Sequence, residues 1–178
     1  MINITLQSVL ALGLALLFVT AGLHKLRSAA RFQAQLAEYK LIPESLVSPG
    51  GYLLAVLELL LAPALLLTAT RPYAGVLAAG LLGLYGIAIA INLARGRDYI
   101  DCGCGDSPQM LSPWLLLRNA LLAGGALLTT LPAPTTSFAW SDLLIAVPAF
   151  VVICLVYLVA EQLLENASVL REWSQLRD

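Results

Sequence analysis

Residues 73–94 read YAGVLAAGLLGLYGIAIAINLA. The stretch carries no Asp, Glu, Lys or Arg, and its single amide side chain, Asn92, sits near the end. About 20 consecutive apolar residues in a helix cross a bilayer core, so this segment alone directs the chain to a membrane. Its Gly and Ala residues suit close contact with neighbouring helices. The rest of the chain agrees. Of its 178 residues, 60% are hydrophobic and only 12% charged, with a mean hydropathy of +0.85. A soluble domain is nearer half apolar and a quarter charged. The length suits one bundle. A net charge of −1 gives no sign of a nucleic-acid partner, none is expected, and the expected surroundings are membrane lipid.

Working outward, four further segments are long and apolar enough to span. The first runs from about Ile4 to Leu23 and closes on His24-Lys25. No positive region precedes it, unlike a signal peptide, so it reads as a retained helix. The second runs from about Gly51 to Thr70 with Glu58 inside it. A fourth starts after Ser112-Pro113, a good N-cap and N1 pair, and reaches about Leu131 with Arg118 inside it. A fifth runs from about Asp142 to Ala160, followed by a polar helical tail. Pro63 and Pro148 fall within spans and should only kink them. Between the first two spans, SAARFQAQLAEYKLIP places Phe32, Leu36 and Tyr39 at helical spacing behind Ser28 as a cap. That pattern fits a short amphipathic helix on the membrane surface or a soluble linker helix. The expected fold is an all-α integral membrane protein. Residues 1–131 form a four-helix transmembrane bundle with a short interfacial amphipathic helix, and residues 132–178 a fifth transmembrane helix and its tail.

Charge sets an expected orientation. With the N-terminus outside, one face collects Lys25, Arg27, Arg31, Lys40, Arg95, Arg97, Arg171 and Arg177, and the other only Arg71. Basic residues favour the cytoplasmic side, which places the loop between the third and fourth spans inside a bacterial cell (inner) membrane.

Helix direction then gathers polar residues at one end. The first and third spans end where the second and fourth begin. At 1.5 Å per residue, Glu58 lies about 10 Å into its span and Arg118 about 8 Å into its own. Ionisable residues inside a span are expensive and usually face a partner. Glu58 and Arg118 are therefore expected to pair, directly or through Asn92, Asn119 or water. His24, Lys25, Arg95, Arg97 and Asp101 lie at the same end.

The loop over that end reads RGRDYIDCGCGD, residues 95–106, and holds Cys102 and Cys104 around Gly103. A disulfide across one residue is strained and so more reducible. Labile disulfides of that kind are the catalytic ones. Nearby basic groups would favour the nucleophilic thiolate, although Asp101 and Asp106 oppose them. Three readings compete: thiol–disulfide exchange, a soft-metal site of Cys102, Cys104 and His24, and a plain turn. A quinone-coupled oxidoreductase is a further alternative, for which the sequence holds no quinone motif. Cys154, alone in the fifth span, reads as a packing residue.

Together TAGLHKLR, FQAQLAEYKLIP, VLELLLAP, AINLARGRDYIDCGCG and SPWLLLRNALL resemble the methylamine utilisation protein MauE family, within the MauE/DoxX-like redox-associated membrane proteins. The resemblance spans residues 10–131, and its most specific part is the Cys-Gly-Cys block followed by Arg118-Asn119. It implies a polytopic protein working with a thioredoxin-like partner in the maturation of methylamine dehydrogenase, whose small subunit carries several disulfides and a tryptophan-derived quinone. By the same resemblance Cys102 and Cys104 are the redox pair, supported by Lys25, Glu58, Arg97, Asp101, Arg118 and Asn119. The resemblance implies a periplasmic client and partner, whereas the charge count puts the cysteine loop in the cytoplasm.

Overall fold

The computed structural model describes residues 4–97 and 111–132, together with helical positions among residues 144–163. Five helices are laid out over its continuous parts: α1 (Ile4–Arg27), α2 (Ala29–Glu38), α3 (Glu44–Leu66), α4 (Arg71–Ala94) and α5 (Pro113–Leu128). Three of them, α1, α3 and α4, are long and apolar enough to cross a membrane. At 1.5 Å per residue, α1 and α4 are each about 36 Å long, more than a hydrocarbon core of about 30 Å, and α5 about 24 Å. The apolar segment expected up to Leu131 thus ends three residues earlier as a helix, with Thr129 as its C-cap.

Each long helix buries one stripe at helical spacing. On α1 it runs Ala11, Leu14, Ala15, Phe18, Gly22 and Lys25. On α3 it runs Val47, Gly51, Ala55, Glu58, Ala62 and Leu65. On α4 it includes Ala74, Ala78, Leu81, Ile89 and Asn92. Lipid is as apolar as leucine, so the helices gain little by hiding leucine from it. Close packing through small residues is what holds them together. A Cβ on Gly22 would meet Leu59 Cγ at 2.9 Å and the Ala55 carbonyl at 3.1 Å. One on Gly75 would meet Thr129 Oγ1 at 2.6 Å and the Ala126 carbonyl at 2.8 Å. These two glycines mark tight contacts of α1 with α3 and of α4 with α5.

Those two pairs are the principal contacts of the bundle, and lighter contacts of α3 with α4 and of α1 with α5 close the ring. The order around the ring is therefore α1, α3, α4, α5. Helices α3 and α5 stand diagonally opposite each other, as do α1 and α4. The central core is built from Leu14, Phe18, Leu61, Leu65, Ala78, Leu82 and Ala126.

Helix α3 starts seven residues before the expected Gly51, because the SPGG stretch continues the helix instead of breaking it. Pro49 and Pro63 are both accommodated inside α3. Its early turns are backed by α2, with Gly51 against Phe32 and Gln33. Helix α2 begins after Ser28 as expected, although neither Ser28 nor Ser112 makes a side-chain cap hydrogen bond. Helix α2 is amphipathic, as its spacing predicts, and it packs one side on the bundle. Its Gln35 side and the following Tyr39 are buried against the bundle, so it forms a wall over one end of it. The end of α4 is shaped by Gly96, at φ +69°. Its N–H bonds the Leu93 carbonyl at 3.0 Å and the Arg97 N–H bonds that of Asn92 at 3.0 Å, the two bonds of a Schellman cap.

Candidate functional site

The polar end of the bundle is organised around Glu58, which is 1% exposed. Lys25 donates from Nζ to both carboxylate oxygens at 2.8 Å. Tyr85 donates its hydroxyl to Oε1, also at 2.8 Å. The ammonium lies 5.2 Å from the centroid of the Phe32 ring and 5.5 Å from that of Tyr85, within range of cation–π attraction. A buried charge is tolerated when it is paired and its remaining hydrogen-bonding capacity is used. Here a carboxylate from α3, an ammonium from α1 and a phenol from α4 meet, with α2 supplying a ring above them.

Beside this network lies a cavity of about 90 Å³, open on one side. Lys25, Phe32, Gln35, Tyr39, Leu54 and Tyr85 are among its lining residues, with Ala88 and Ile89 on the α4 wall. Tyr39 and Ile89 also pack with Leu111 and Leu115 at the start of α5. Leu111, 3% exposed, is thus pinned beside the cavity just before α5. The Gly96 cap holds the chain at the end of α4.

The expected direct pairing of Glu58 with Arg118 is corrected. Among the described residues the carboxylate is held by Lys25 and Tyr85. Depth was not the obstacle, because Gly86, next to Tyr85, faces Asn119, next to Arg118. The ring order is the reason: α3 and α5 are diagonal, whereas α1 and α4 both flank α3. The amides do not bridge the gap either. Asn92 is fully buried and donates to the Ala88 carbonyl at 3.1 Å, and its Oδ1 accepts from Arg97 Nη1 at 3.4 Å. Asn119 donates to the Leu115 carbonyl at 2.9 Å.

The other expected residues fall as follows. His24 is half-buried in the last turn of α1, Arg95 is exposed at the C-cap of α4, and Arg97 and Arg118 are half-buried. Asp101, Cys102, Cys104 and Cys154 lie outside the described residues.

Two features escaped the sequence. Tyr85 looked like one more residue of an apolar span, yet it shares a helical face with Ile89 and Asn92 at i+4 and i+7. At the opposite end, Arg71 is buried at 8% exposure. It donates from Nε to the Leu65 carbonyl at 3.0 Å, from Nη2 to that of Leu66 at 3.2 Å, and from Nη1 to Gln7 Oε1 at 3.4 Å. Gln7 in turn donates to the Thr129 and Leu131 carbonyls at 2.8 and 2.9 Å. Arg71 therefore cancels the partial negative charge at the C-terminus of α3, and with Gln7 it ties all four helix ends together.

Long apolar helices, close small-residue packing and a buried charged network define a multi-pass helical membrane protein with a polar core at one end. No solved structure matches the chain. Residues 4–132 match the family model of the methylamine utilisation protein MauE, and the chain belongs to that family. A relative from Methylophilus methylotrophus, named methylamine utilization protein MauE, is 38% identical over 85% of this chain and 82% of its own length. Relatives of the same name from Methylorubrum extorquens and Paracoccus denitrificans are 47% and 40% identical. They cover 62% and 67% of this chain, and 60% and 67% of their own lengths.

Proposed function

We propose that the chain is a membrane accessory protein of methylamine utilisation that exchanges electrons through Cys102 and Cys104 with a thioredoxin-like partner. The client is a disulfide-rich protein resembling methylamine dehydrogenase. In this reading α5 and a further transmembrane helix, from about residue 142 to 160, complete the transmembrane set, and the loop of residues 95–111 faces the cytoplasm.

The observation that carries the reading is that both described roots of the cysteine loop are fixed at the end of the bundle that holds the Lys25–Glu58 pair. Arg97 is held by the Gly96 cap and Asn92, and Leu111 packs on Tyr39 and Ile89. A chain segment reaches at most about 3.6 Å per residue, so the distance from Arg97 to Cys102 cannot exceed roughly 18 Å. Arg95 and Arg97 at the root favour thiolate. Lys25 contributes less than the sequence suggested, since Glu58 already balances its charge.

In the exchange, one thiolate attacks a partner disulfide and expels a partner thiolate, forming a mixed disulfide. The second cysteine attacks that bond and releases the reduced partner. The pair loses two electrons and the partner gains them, and the same steps run in reverse.

The test is thiol trapping in intact cells with a membrane-impermeant alkylating reagent, together with Cys102→Ser and Cys104→Ser. The reading expects a pair that alternates between oxidised and reduced forms, and a mixed disulfide captured by one single variant. A pair that never oxidises, and binds copper or mercury stoichiometrically, would replace it with the soft-metal reading.

A further inference from the structure

We infer that the cavity beside Lys25 holds the upper carbons of one acyl chain of an anionic phospholipid, whose phosphate is taken by Lys40 at the rim. Nothing in this rests on the cysteine pair.

The walls select a chain. Phe32, Leu36, Leu41, Leu54, Ala88 and Ile89 line the cavity with carbon. Its polar neighbours are already engaged. Lys25 and Tyr85 give their polar atoms to Glu58, and Gln35 and Tyr39 have partners of their own. A buried water needs about two to four polar partners, and these walls keep few to offer. An empty space would forfeit dispersion contacts along its lining. The cavity is open on one side. It lies between α3 and α4, whose mutual contacts are lighter than those of α1 with α3 or of α4 with α5. Leu54, Ala88 and Ile89 belong to helices long and apolar enough to cross a membrane, so lipid is the apolar material within reach. A water takes roughly 30 Å³ in the liquid and a methylene about as much, so a cavity of about 90 Å³ admits about three chain carbons. The rest of a flexible chain runs on in the bilayer.

The rim selects a headgroup. Lys40 lies between two lining residues, Tyr39 and Leu41, and is itself exposed, which puts it at the edge of the cavity. Its backbone is left-handed, at φ 49°, and its N–H bonds the Ala37 carbonyl at 3.1 Å as α2 ends. Glycine or asparagine usually fills that position after a helix, because a Cβ is crowded there. A lysine where the backbone favours glycine points to a use for its ammonium. The lysine stem can lie along the apolar rim while its charge stays at headgroup level. Glu38 and Glu44 are exposed in the same stretch, so this is no broad basic patch, and the selection falls on Lys40. A chain gains little by leaving lipid for protein, so any preference among lipids comes from the headgroup. Phosphatidylcholine carries its own cation beside the phosphate. Phosphatidylglycerol does not, and its phosphate is left for Lys40.

The probe is phosphatidylglycerol with a photoactivatable diazirine near the carbonyl end of one chain, added to the delipidated full chain in neutral detergent. Native mass spectrometry reads retention, and mapped crosslinks read where the chain lies. One phosphatidylglycerol should be held at least fivefold more tightly than phosphatidylcholine with the same chains, with crosslinks on cavity-lining residues. Lys40→Gly removes the ammonium and suits the left-handed backbone. It should abolish the preference without lowering the unfolding temperature in lipid-free detergent, whereas Lys40→Arg should keep it. Arg95→Gln removes another exposed cation at the same end and should leave the preference intact. Ala88→Phe and Leu54→Phe, each checked for folding by circular dichroism, should abolish the cavity crosslinks. Equal retention of the two lipids overturns the inference, as does a Lys40→Gly variant that keeps the preference or an Arg95→Gln variant that loses it as fully. Glycerol phosphate competing as well as the lipid would mean a site for free anions, and crosslinks confined to residues outside the cavity would mean a surface without a chain site. Either result also overturns it.

Discussion

The most consequential single residue is Glu58. Its carboxylate takes three hydrogen bonds from two flanking helices, so removing either charge leaves the other buried and uncompensated. Lys25→Met or Glu58→Leu alone should each lower stability by about 3–5 kcal/mol, and the double variant should recover most of that loss. Denaturant unfolding in detergent micelles measures this. Tyr85→Phe keeps the ring near Lys25 and loses one hydrogen bond to a charged group, a cost of about 1.5–3 kcal/mol. Double-mutant cycles separate the observed partner from the expected one. Lys25 and Glu58 should be strongly coupled, whereas Glu58→Gln and Arg118→Gln should add to within about 0.5 kcal/mol. The sequence marked Lys25, Glu58 and Arg118 as polar residues sharing one end of the bundle. Depth alone favoured Arg118 as the partner of Glu58, because the order of the helices around the ring is not written along the chain.

At the scale of the element, the closest helix contacts make the sharpest predictions. A Cβ at Gly75 collides with Thr129 Oγ1 and the Ala126 carbonyl of α5. Backbone cannot yield as a side-chain tip can, so Gly75→Ala should cost about 1–3 kcal/mol by overpacking. Gly80, with nothing within 4 Å of its Cβ position, is the control on the same helix, where alanine should be neutral or mildly stabilising by about 0.4–1 kcal/mol. Thermal unfolding of the two variants side by side decides this. Gly96 matters for another reason. Its left-handed conformation costs a residue with a Cβ roughly 1–2 kcal/mol, so Gly96→Ala should loosen the root of the cysteine loop while Gly96→Asn is better tolerated. Proteolysis between α4 and α5 reads that difference. Helix α2 shows what an element's own pattern leaves open. Phe32, Leu36 and Tyr39 fall on one side by spacing alone, yet the same stripe serves a membrane surface, a partner or the chain's own bundle.

At the scale of the whole molecule, the two ends of the bundle differ in kind. One holds the Lys25–Glu58 pair with its neighbouring cavity and the described roots of the cysteine loop. The other is closed by Gln7 and Arg71, which satisfy helix-end carbonyls of α3 and α5. Arg71 is thus spent inside the protein. It no longer counts as a basic residue on its side, and the contrast with exposed Arg27, Lys40 and Arg95 at the other end is steeper than the sequence count implied. With basic residues favouring the cytoplasm, Lys40→Cys should resist an impermeant maleimide in intact cells and Ala69→Cys should react, each in a background without the native cysteines. The reverse pattern would invert the proposed topology. The sequence by itself determined the membrane class, the approximate helices and the end to which the polar residues belong. These follow from hydropathy and from a helical period of 3.6, which act along the chain. Only the tertiary structure decided that Glu58 belongs to Lys25 and Tyr85, that α2 walls the cavity, and that Arg71 caps α3. Each of these depends on the order of helices around the ring, which rests on contacts, such as those at Gly22 and Gly75, between residues far apart in the chain.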